Sequence, residues 1–590
     1  MLALAALTGL AAPGLASASA ATPAGASAPA STQAVSPAGQ APAGSAKATA
    51  PVATSGAAAP AATTGIPLAP QIKGDRPKSD PSVLPPAATR LPAALQDLAS
   101  PASLQLPNRP DQVRIQDLRP LGLTDVETLA EVNNPNLKAL VSQVDQAQSN
   151  LRSLIALWYP TINLNASNLP AYLAYRNYSS APFGVGLDPR GISTTNRMNM
   201  DAGLQVNWAL IDPTRTPQIA AARDQYEKAK NQYLIGLRDL RLQAAQLYFD
   251  LQSTDDQVRI GQESVRASLV SLRDAKARYQ AGVATKLEVL EAETQLARDE
   301  QLLTTNLSAQ AIARRSLAAL LDLPQNVTPT AKEPSRVVGT WLPSLQQSIV
   351  AAYAFREELD QALLDISISN SNANASLGQI QPFLRIINNL GYNQYTGNYT
   401  SQLSTTPNDN GWRLTNTIGL NLSWTLYDGG RSQATALRYR QAADENRFRF
   451  AQRRDDIRRE VEASFYELEK NDMNIATTSR EVISSRESLR LARLRFQAGV
   501  TTQREVVDNQ RDLTNAEVRF ANAIADYNKR LADLRRRTGL DQIALCKPPV
   551  LPAGKPVITG VSDVPVEPLP VLPACNAVFD ADSIPSTIKR

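Results

Sequence analysis

The sequence of 590 residues contains no histidine and only two cysteines, and these shortages exclude several kinds of site. Without histidine, the commonest general base and the commonest metal ligand of proteins are both missing. Two cysteines, Cys546 and Cys575, cannot build a Cys/His metal cluster; in an exported protein they would form one disulfide or remain two thiols. No nucleophile motif and no glycine-rich phosphate loop occurs. We therefore expect no bound metal, no cofactor and no enzyme activity.

An excess of charge of one sign is also missing. The formal net charge is only +5, and acidic and basic residues are interspersed. The basic run Arg535-Arg536-Arg537 lies at the end of a predicted helix, where cations complement the helix dipole. We expect no nucleic-acid partner.

Long apolar runs are absent after the N-terminus, so we expect no transmembrane helix. Residues 1–21 are apolar and end in small residues, which is typical of a secretory signal peptide, although the basic start of such peptides is missing. An alanine-rich low-complexity tail is the alternative. Residues 22–110 are rich in Ala, Pro, Ser and Thr and predict a disordered linker. Residues 541–590 predict an irregular, proline-rich tail.

The middle of the chain contains an internal duplication. The pattern Trp208-x-Leu210-x-Asp212-x-x-Arg215 recurs 216 residues later as Trp424-x-Leu426-x-Asp428-x-x-Arg431. The segments 278–283 and 495–500, Arg-Tyr-Gln-Ala-Gly-Val and Arg-Phe-Gln-Ala-Gly-Val, correspond at an offset of 217. We predict two structural repeats, residues 111–325 and residues 326–540.

In each repeat we predict a helix, two strands, a very long helix, a turn and a further helix, in this order. Helices are expected over about 124–157, 214–279 and 286–321, and again over about 343–378, 430–496 and 503–537, because these stretches are rich in strong helix formers. A helix of about 66 residues is roughly 100 Å long. No compact domain requires such a length.

The predicted strands alternate apolar and polar residues. They cover about 160–170 and 199–211 in the first repeat and about 382–393 and 415–427 in the second. Runs of this length with one apolar face are typical of a transmembrane barrel, the alternative being a soluble sheet with one wet face. The strand ends nearest the helices carry aromatic residues that predict one membrane interface: Trp158, Tyr159, Trp208 and Trp424.

With this plan the sequence resembles the TolC family of outer-membrane efflux proteins. The Trp-x-Leu-x-Asp-Gly-Gly-Arg segment at 424–431 and the Arg-x-Gln-Ala-Gly-Val-x-Thr turns at 278–285 and 495–502 carry the resemblance, together with the duplication. It implies a mainly α fold with a small membrane β part. Long antiparallel helical hairpins would form an α-barrel in the periplasm. Four strands from each protomer would contribute to a 12-stranded barrel in the outer membrane of a homotrimer.

The resemblance also implies roles for particular residues. The hairpin turns would be periplasmic tips that dock an adaptor, the alternative being plain helix–helix turns; the residues are Arg278, Gly282, Val283, Thr285, Arg495, Gly499, Val500 and Thr502. Acidic residues past the tips would line a constricted periplasmic gate, the alternative being solvated acids near a helix N-terminus; they are Glu505, Asp508, Glu288 and Glu291. The strand-to-helix turns would be structural, with Pro213 at an early helical position; they comprise Asp212, Pro213, Asp428, Gly429 and Gly430.

The function that this resemblance implies is an exit duct in the outer membrane. The duct would belong to a tripartite efflux system or a type I secretion system and would conduct substrates passively. Its partners would be a periplasmic adaptor protein and an inner-membrane pump of the ABC or RND type. The alternative is a periplasmic coiled-coil adaptor or scaffold, but adaptors have one hairpin flanked by small β domains, whereas this sequence has two hairpins with strands between them.

Overall fold

The computed structural model describes residues 85–546, except residue 116 and the segments 180–190 and 401–404. Eight helices lie in this part of the chain: α1 (Leu123–Asn133), α2 (Pro135–Ile155), α3 (Arg215–Gln280), α4 (Lys286–Leu320), α5 (Leu345–Phe355), α6 (Glu357–Gly378), α7 (Arg431–Gln497) and α8 (Gln503–Thr538). The strands are β1 (Asp117–Leu121), β2 (Thr161–Ser179), β3 (Gly191–Ile211), β4 (Val327–Ala331), β5 (Gly339–Trp341), β6 (Phe383–Thr400), β7 (Thr405–Ser423) and β8 (Ile543–Leu545). None of the helices described is both long and apolar enough to cross a bilayer.

The four long strands form one antiparallel sheet in the order β2-β3-β6-β7. Each strand has 18 to 21 residues and continues well beyond its predicted end on the side of the connecting loops. These extensions were missed because Tyr, Asn, Thr and Ser occupy both of their faces, so the two-residue alternation disappears. β2 and β7 are the edges of the sheet.

The helices continue the order of the strands. α2 packs on α3, α3 on α6 and α6 on α7, so α2 and α7 each have one open flank in the single chain. Farther from the sheet, α3 pairs with α4, α7 pairs with α8, and α3 also packs on α8. Small residues such as Ala222, Ala244 and Ala443 are buried at these contacts and allow the helix backbones to approach closely.

Two helices that the sequence predicts as continuous are interrupted, at equivalent places in the two repeats. The predicted helix 124–157 breaks at Asn134, whose side chain accepts hydrogen bonds from the amides of Asn136 and Leu137 at 2.9 and 3.2 Å. Pro135 starts the next helix, where its missing N–H costs nothing. The predicted helix 343–378 breaks at Arg356, which adopts an extended conformation with ψ of 123°.

Between the breaks and the hairpins lies a region that we name the waist, formed by α1, α5 and the four short strands. β1 pairs with β4 in parallel and β5 pairs with β8 antiparallel. The prediction that residues 22–110 form a disordered linker is wrong for its last part, because Leu95 and Leu98 are buried against α1 and α3. The predicted irregular tail also starts with an ordered strand, β8.

Candidate functional site

The two hairpin turns share one backbone design. At the end of α3, Val283 N–H donates to Arg278 C=O and Gly282 N–H donates to Tyr279 C=O, both at 3.0 Å. At the end of α7, Val500 and Gly499 repeat this pattern at 2.9 and 3.0 Å. This double hydrogen bond is the Schellman motif, and it requires a left-handed residue after the helix. Gly282 and Gly499, at φ of +74° and +73°, supply it.

The two tips lie side by side in the protomer. The Arg278 guanidinium stands over the Phe496 ring at 4.2 Å from its centroid, which joins the end of α3 to the end of α7. Gln503, in the first turn of α8, donates a hydrogen bond to Ser271 of α3. Val283 and Val500 remain 66% and 69% exposed. The predicted docking residues therefore form one contiguous end of the molecule, with both valines accessible.

The predicted gate acids lie just past the tips, and most already have local partners. Glu505 accepts a hydrogen bond from Thr501 and forms an ion pair with Arg495 at 2.8 Å. Asp508 lies 3.4 Å from Arg511 and 3.9 Å from Arg504.

The corresponding acids of the first repeat differ from these. Glu288 forms a capping box with Thr285, in which each backbone amide donates to the other side chain at 3.4 Å. Glu291 is half-buried on α4. Glu288 thus has a structural task at the helix start, and the gate assignment stays a prediction for all four acids.

In the long sheet, even-numbered and odd-numbered residues lie on opposite faces. Except at register shifts near two strand ends, even-numbered residues lie opposite even-numbered ones across the four strands, as in the row Leu164, Leu204, Leu390 and Asn416. This face is largely apolar, and its edge residues Ile162, Leu164, Ile418 and Leu420 are 64 to 76% exposed. The odd face carries rows such as Ser167, Asp201, Asn393 and Arg413. One face therefore suits lipid and the other suits water.

The predicted interface aromatics gather at the helical end of this sheet. Trp208 Nε1 donates to Trp158 C=O at 3.0 Å, and Trp424 Nε1 donates to Ile380 C=O at 3.1 Å. Trp158, Tyr159 and Trp424 are 49, 69 and 59% exposed. Trp158 and Trp208 lie together, whereas Trp424 follows β7 at the opposite edge of the sheet.

The strand-to-helix turns are built around two aspartates. Asp212 accepts from Thr214 N–H at 2.9 Å, and Asp428 accepts from Gly430 N–H and Ser432 N–H at 2.9 and 2.8 Å. Gly429 and Gly430 have φ of +71° and +83°. Pro213 was predicted at an early helical position, but it lies in the turn before Thr214, the residue that precedes α3.

Sequence reasoning missed the role of the arginine that follows the first of these turns. Arg215 is 2% exposed and stacks on Trp158 at 3.4 Å from the ring centroid. Its guanidinium donates to the carbonyls of Leu157, Ala209 and Leu210. The matching Arg431 is exposed, and the residue whose carbonyl accepts from Trp424, as that of Trp158 accepts from Trp208, is Ile380. The repeated arginine was visible in the sequence, but the partner that buries it occurs only once.

The waist contains a cluster of charged side chains that no sequence motif predicted. Arg356, 1% exposed, donates to Glu358 and Glu460, each at 2.7 Å. Arg536 contacts Glu358 at 2.9 Å and Asp239 at 2.6 Å. Burial alone raises the pKa of Glu358, but the hydrogen bond and charge of Arg356 and the charge of Arg536 outweigh burial and hold this pKa well below its usual value.

The last of the predicted site residues are the two cysteines. Cys546 directly follows β8, and its amide donates to Val338 C=O at 3.0 Å. Cys575 lies outside the described residues, so the disulfide stays a prediction.

Comparison with known proteins assigns these features to a family. A family model described as outer membrane efflux protein matches residues 128–322 and 352–540. The outer membrane protein TolC of Vibrio cholerae serotype O1 is 24% identical over 436 residues, which cover 71% of this chain and 90% of that protein.

Solved structures of outer-membrane channels share the fold. The channel OprN superposes with a TM-score of 0.57 at 17% identity, over 76% of this chain and 97% of OprN. The outer membrane protein VceC from Vibrio cholerae gives a TM-score of 0.57 at 16% identity, over 71% of this chain and 96% of VceC.

Proposed function

Because the chain belongs to the outer membrane efflux protein family, and therefore lies in the outer membrane with a large periplasmic portion, we propose that three copies assemble into one exit duct. The duct conducts substrates passively from an inner-membrane pump and its adaptor to the exterior. Residues 1–21 direct export as a signal peptide. The observation that carries this proposal is the four-stranded sheet, which has one apolar face and two unpaired edges.

The sheet cannot remain alone in a bilayer. Its edges, β2 and β7, would leave backbone N–H and C=O groups unpaired in hydrocarbon, at several kcal/mol for each group. Pairing β7 of one copy with β2 of the next satisfies both edges. Three copies then close a barrel of 12 strands, a size within the range of known outer-membrane barrels. The even face meets lipid and the odd face lines a water-filled path.

The helices support the same closure. α2 and α7 end the helical row, as β2 and β7 end the sheet. Exposed apolar residues lie on the open flank of α7, where Leu437 and Phe448 are 55 and 77% exposed. Burying such side chains against a neighbouring copy contributes about 1.5–3 kcal/mol each. The closed ring of helices is the α-barrel that continues the path through the periplasm.

The length of the strands indicates which part of the sheet crosses the membrane. A strand needs about 9–11 residues to cross a bilayer, and these strands are nearly twice as long. The half nearest the helices carries the apolar even face and the tryptophans, so it crosses the lipid. The other half carries many tyrosine, asparagine and threonine residues on both faces and projects to the exterior.

At the periplasmic end, the tips dock the adaptor and the acids past them narrow the entrance. A carboxylate that faces the axis becomes a ring of three in the trimer, which concentrates cations and repels anions. Glu505 and Asp508 are the stronger candidates, because Glu288 is engaged in capping its helix. An ABC or RND pump would supply the energy, since the duct itself performs no chemistry.

The proposal is tested by reconstituting the purified full-length protein into planar bilayers and by deleting its gene. Conducting trimers, together with drug sensitivity or the loss of a secreted protein in the deletion strain, are expected. Drug sensitivity alone would assign the duct to efflux, and a secretion defect alone to type I secretion. A monomer without conductance that fractionates with the inner membrane would instead indicate a periplasmic adaptor and would refute the duct.

A further inference from the structure

An apolar arm projects from the waist of the protomer. We use the name arm for residues 101–115, and residues 102–115 are all exposed. Leu104 and Leu106 are 95% and 84% exposed, and Val113 and Ile115 are 46% and 54% exposed. Single exposed apolar residues are ordinary, but four within one short segment indicate a surface that another molecule covers.

The arm is held in place at both ends and within itself. Before it, Ser100 N–H donates to Asn133 Oδ1 at 3.2 Å, and after it, Asp117 N–H donates to Asn326 C=O at 3.2 Å. Inside it, Gln105 N–H donates to Ala102 C=O at 2.8 Å, and Asn108 N–H donates to Gln112 Oε1 at 2.8 Å. These turns keep the leucines directed away from their own core.

The arm leaves the molecule on the open flank of α2. Lys138 Nζ donates to Ser100 Oγ at 2.8 Å, so the start of the arm lies against the exposed side of this helix. Lys138 lies two residues before Leu140, about 160° around the helix from it, and Leu140 packs against Gly236 of α3, so Lys138 lies on the side that faces away from α3. In the closed ring, this is the side on which the next copy stands.

The opposite flank offers a matching surface at the same level. Glu460 of α7 is held by Arg356 at the waist, and exposed aromatic residues lie above and below it on α7. Phe448 and Tyr466 are 77% and 58% exposed, and they are 18 residues, five helical turns, apart on one face. This face is open in the single chain.

We propose that the arm of each protomer packs onto the α7 flank of a second copy of this chain, between Phe448 and Tyr466, with Leu104 and Leu106 buried in that contact. The proposal rests on the trimeric duct proposed above. It assigns to the arm the role of a clasp that fastens neighbouring protomers at the waist, independently of the pairing between barrel strands.

Photocrosslinking of the purified full-length protein tests which surface the arm contacts. The photoreactive amino acid p-benzoylphenylalanine is placed at position 104, and in a control at Ile192, which lies on the inner strand β3 and is 56% exposed. Irradiation is expected to give chain-to-chain adducts that map to α7 from position 104 and none from position 192. Adducts within one chain, adducts to another protein or adducts at a different surface of the second copy would overturn the proposal.

Substitution of the two leucines measures how much the arm contact contributes to the stability of the trimer. The double variant Leu104→Asp with Leu106→Asp is expected to raise the protein concentration at which the trimer dissociates by about tenfold or more, with unchanged helical circular dichroism. Unchanged dissociation would refute the clasp and leave the duct intact. A wild-type protein that never forms trimers would refute the duct itself, so the two failures are distinguishable.

Discussion

Arg356 shows how a single residue shapes this fold. Its backbone interrupts the helical run between α5 and α6, and its buried guanidinium binds Glu358 of α6 and Glu460 of α7. A buried ion pair is costly to break, because the remaining charge loses its partner without regaining water. The waist therefore depends on all members of the cluster being charged.

Replacing Glu358 by glutamine tests this dependence. Glu358→Gln keeps the size of the side chain but removes the charge that faces Arg356 and Arg536, so we expect a loss of about 3 kcal/mol in the free energy of unfolding. Urea denaturation measures it. The control is Glu487→Gln, since the Glu487–Arg490 pair is 52% and 59% exposed and such pairs contribute about 0–1 kcal/mol. Equal losses in both variants would contradict the role of the cluster.

The same carboxylate adds a pH dependence. Its pKa is lower in the folded state than the usual 4.5, so it stabilises the fold above about pH 4.5, and this stabilisation is lost as the pH falls toward the folded pKa. Stability measured between pH 7 and pH 3 is expected to decline less steeply in Glu358→Gln than in the wild type. Parallel curves would show that Glu358 does not contribute to acid sensitivity.

The gate acids make a second prediction for individual residues. The variant Glu505→Gln with Asp508→Asn removes two carboxylates from each protomer, so that in a trimer each of two rings would lose its three carboxylates. We expect the preference for cations over anions, measured as the reversal potential under a salt gradient, to fall. Glu487→Gln again serves as the control. An unchanged reversal potential would mean that these acids do not face the path.

Sequence reasoning found the residues at the tips and turns but not their partners. Gly282 and Gly499 were identifiable because only a left-handed position explains a glycine at that place in a repeated motif. The burial of Arg215 and the cluster around Arg356 depend on contacts between segments more than 50 residues apart, and no local pattern encodes such contacts.

Among the elements, the long sheet gives the sharpest contrast between two faces. Ile418 lies on the apolar face of β7, and its neighbour Thr417 lies on the polar face. We expect Ile418→Lys to destabilise the barrel by about 2–4 kcal/mol, because it places a charge in lipid, whereas Thr417→Lys enters the water-filled path and leaves folding unchanged. Heat resistance of the trimer on gels measures both. Equal effects would contradict the assignment of the two faces.

The hairpin turns are the second testable element. In Gly499→Ala a side chain must adopt the left-handed conformation, which costs about 1–2 kcal/mol, although no atom lies within 4 Å of the added carbon. Hydrogen exchange of the Val500 amide is expected to accelerate. Gly419→Ala also adds a carbon in open space but has no positive φ, so it serves as the control. Unchanged exchange in Gly499→Ala would contradict the motif.

The sequence predicted the long elements better than the short ones. Helices such as α3 and α7, with 66 and 67 residues, follow from composition summed over many turns. The strands of the waist have only three to five residues and carry no periodicity, so they were invisible. The break at Asn134 was signalled by Pro135, whereas the break at Arg356 had no local signal.

At the scale of the whole molecule, the proposed ring would complete the single chain. In the part of the chain that the structure describes, two strand edges, two helix flanks and an apolar arm are open, and each of these would gain a partner in that ring. The duplication is consistent with such a ring, because two repeats in each of three chains would give six nearly equivalent units around one axis.

The measurement that tests ring closure most directly is a cysteine crosslink between the edges of the barrel. Cysteines are placed on the apolar faces of β2 and β7, scanning Ile162 and Leu164 against Ile418 and Leu420, in a chain with Cys546→Ser and Cys575→Ser. Within one chain these strands are separated by three strand spacings, about 14 Å, which a disulfide cannot span. Oxidation in the membrane is predicted to yield covalent species of up to three chains and no larger. Failure of every pair to crosslink, or a ladder that continues beyond three chains, would contradict the closed trimeric barrel.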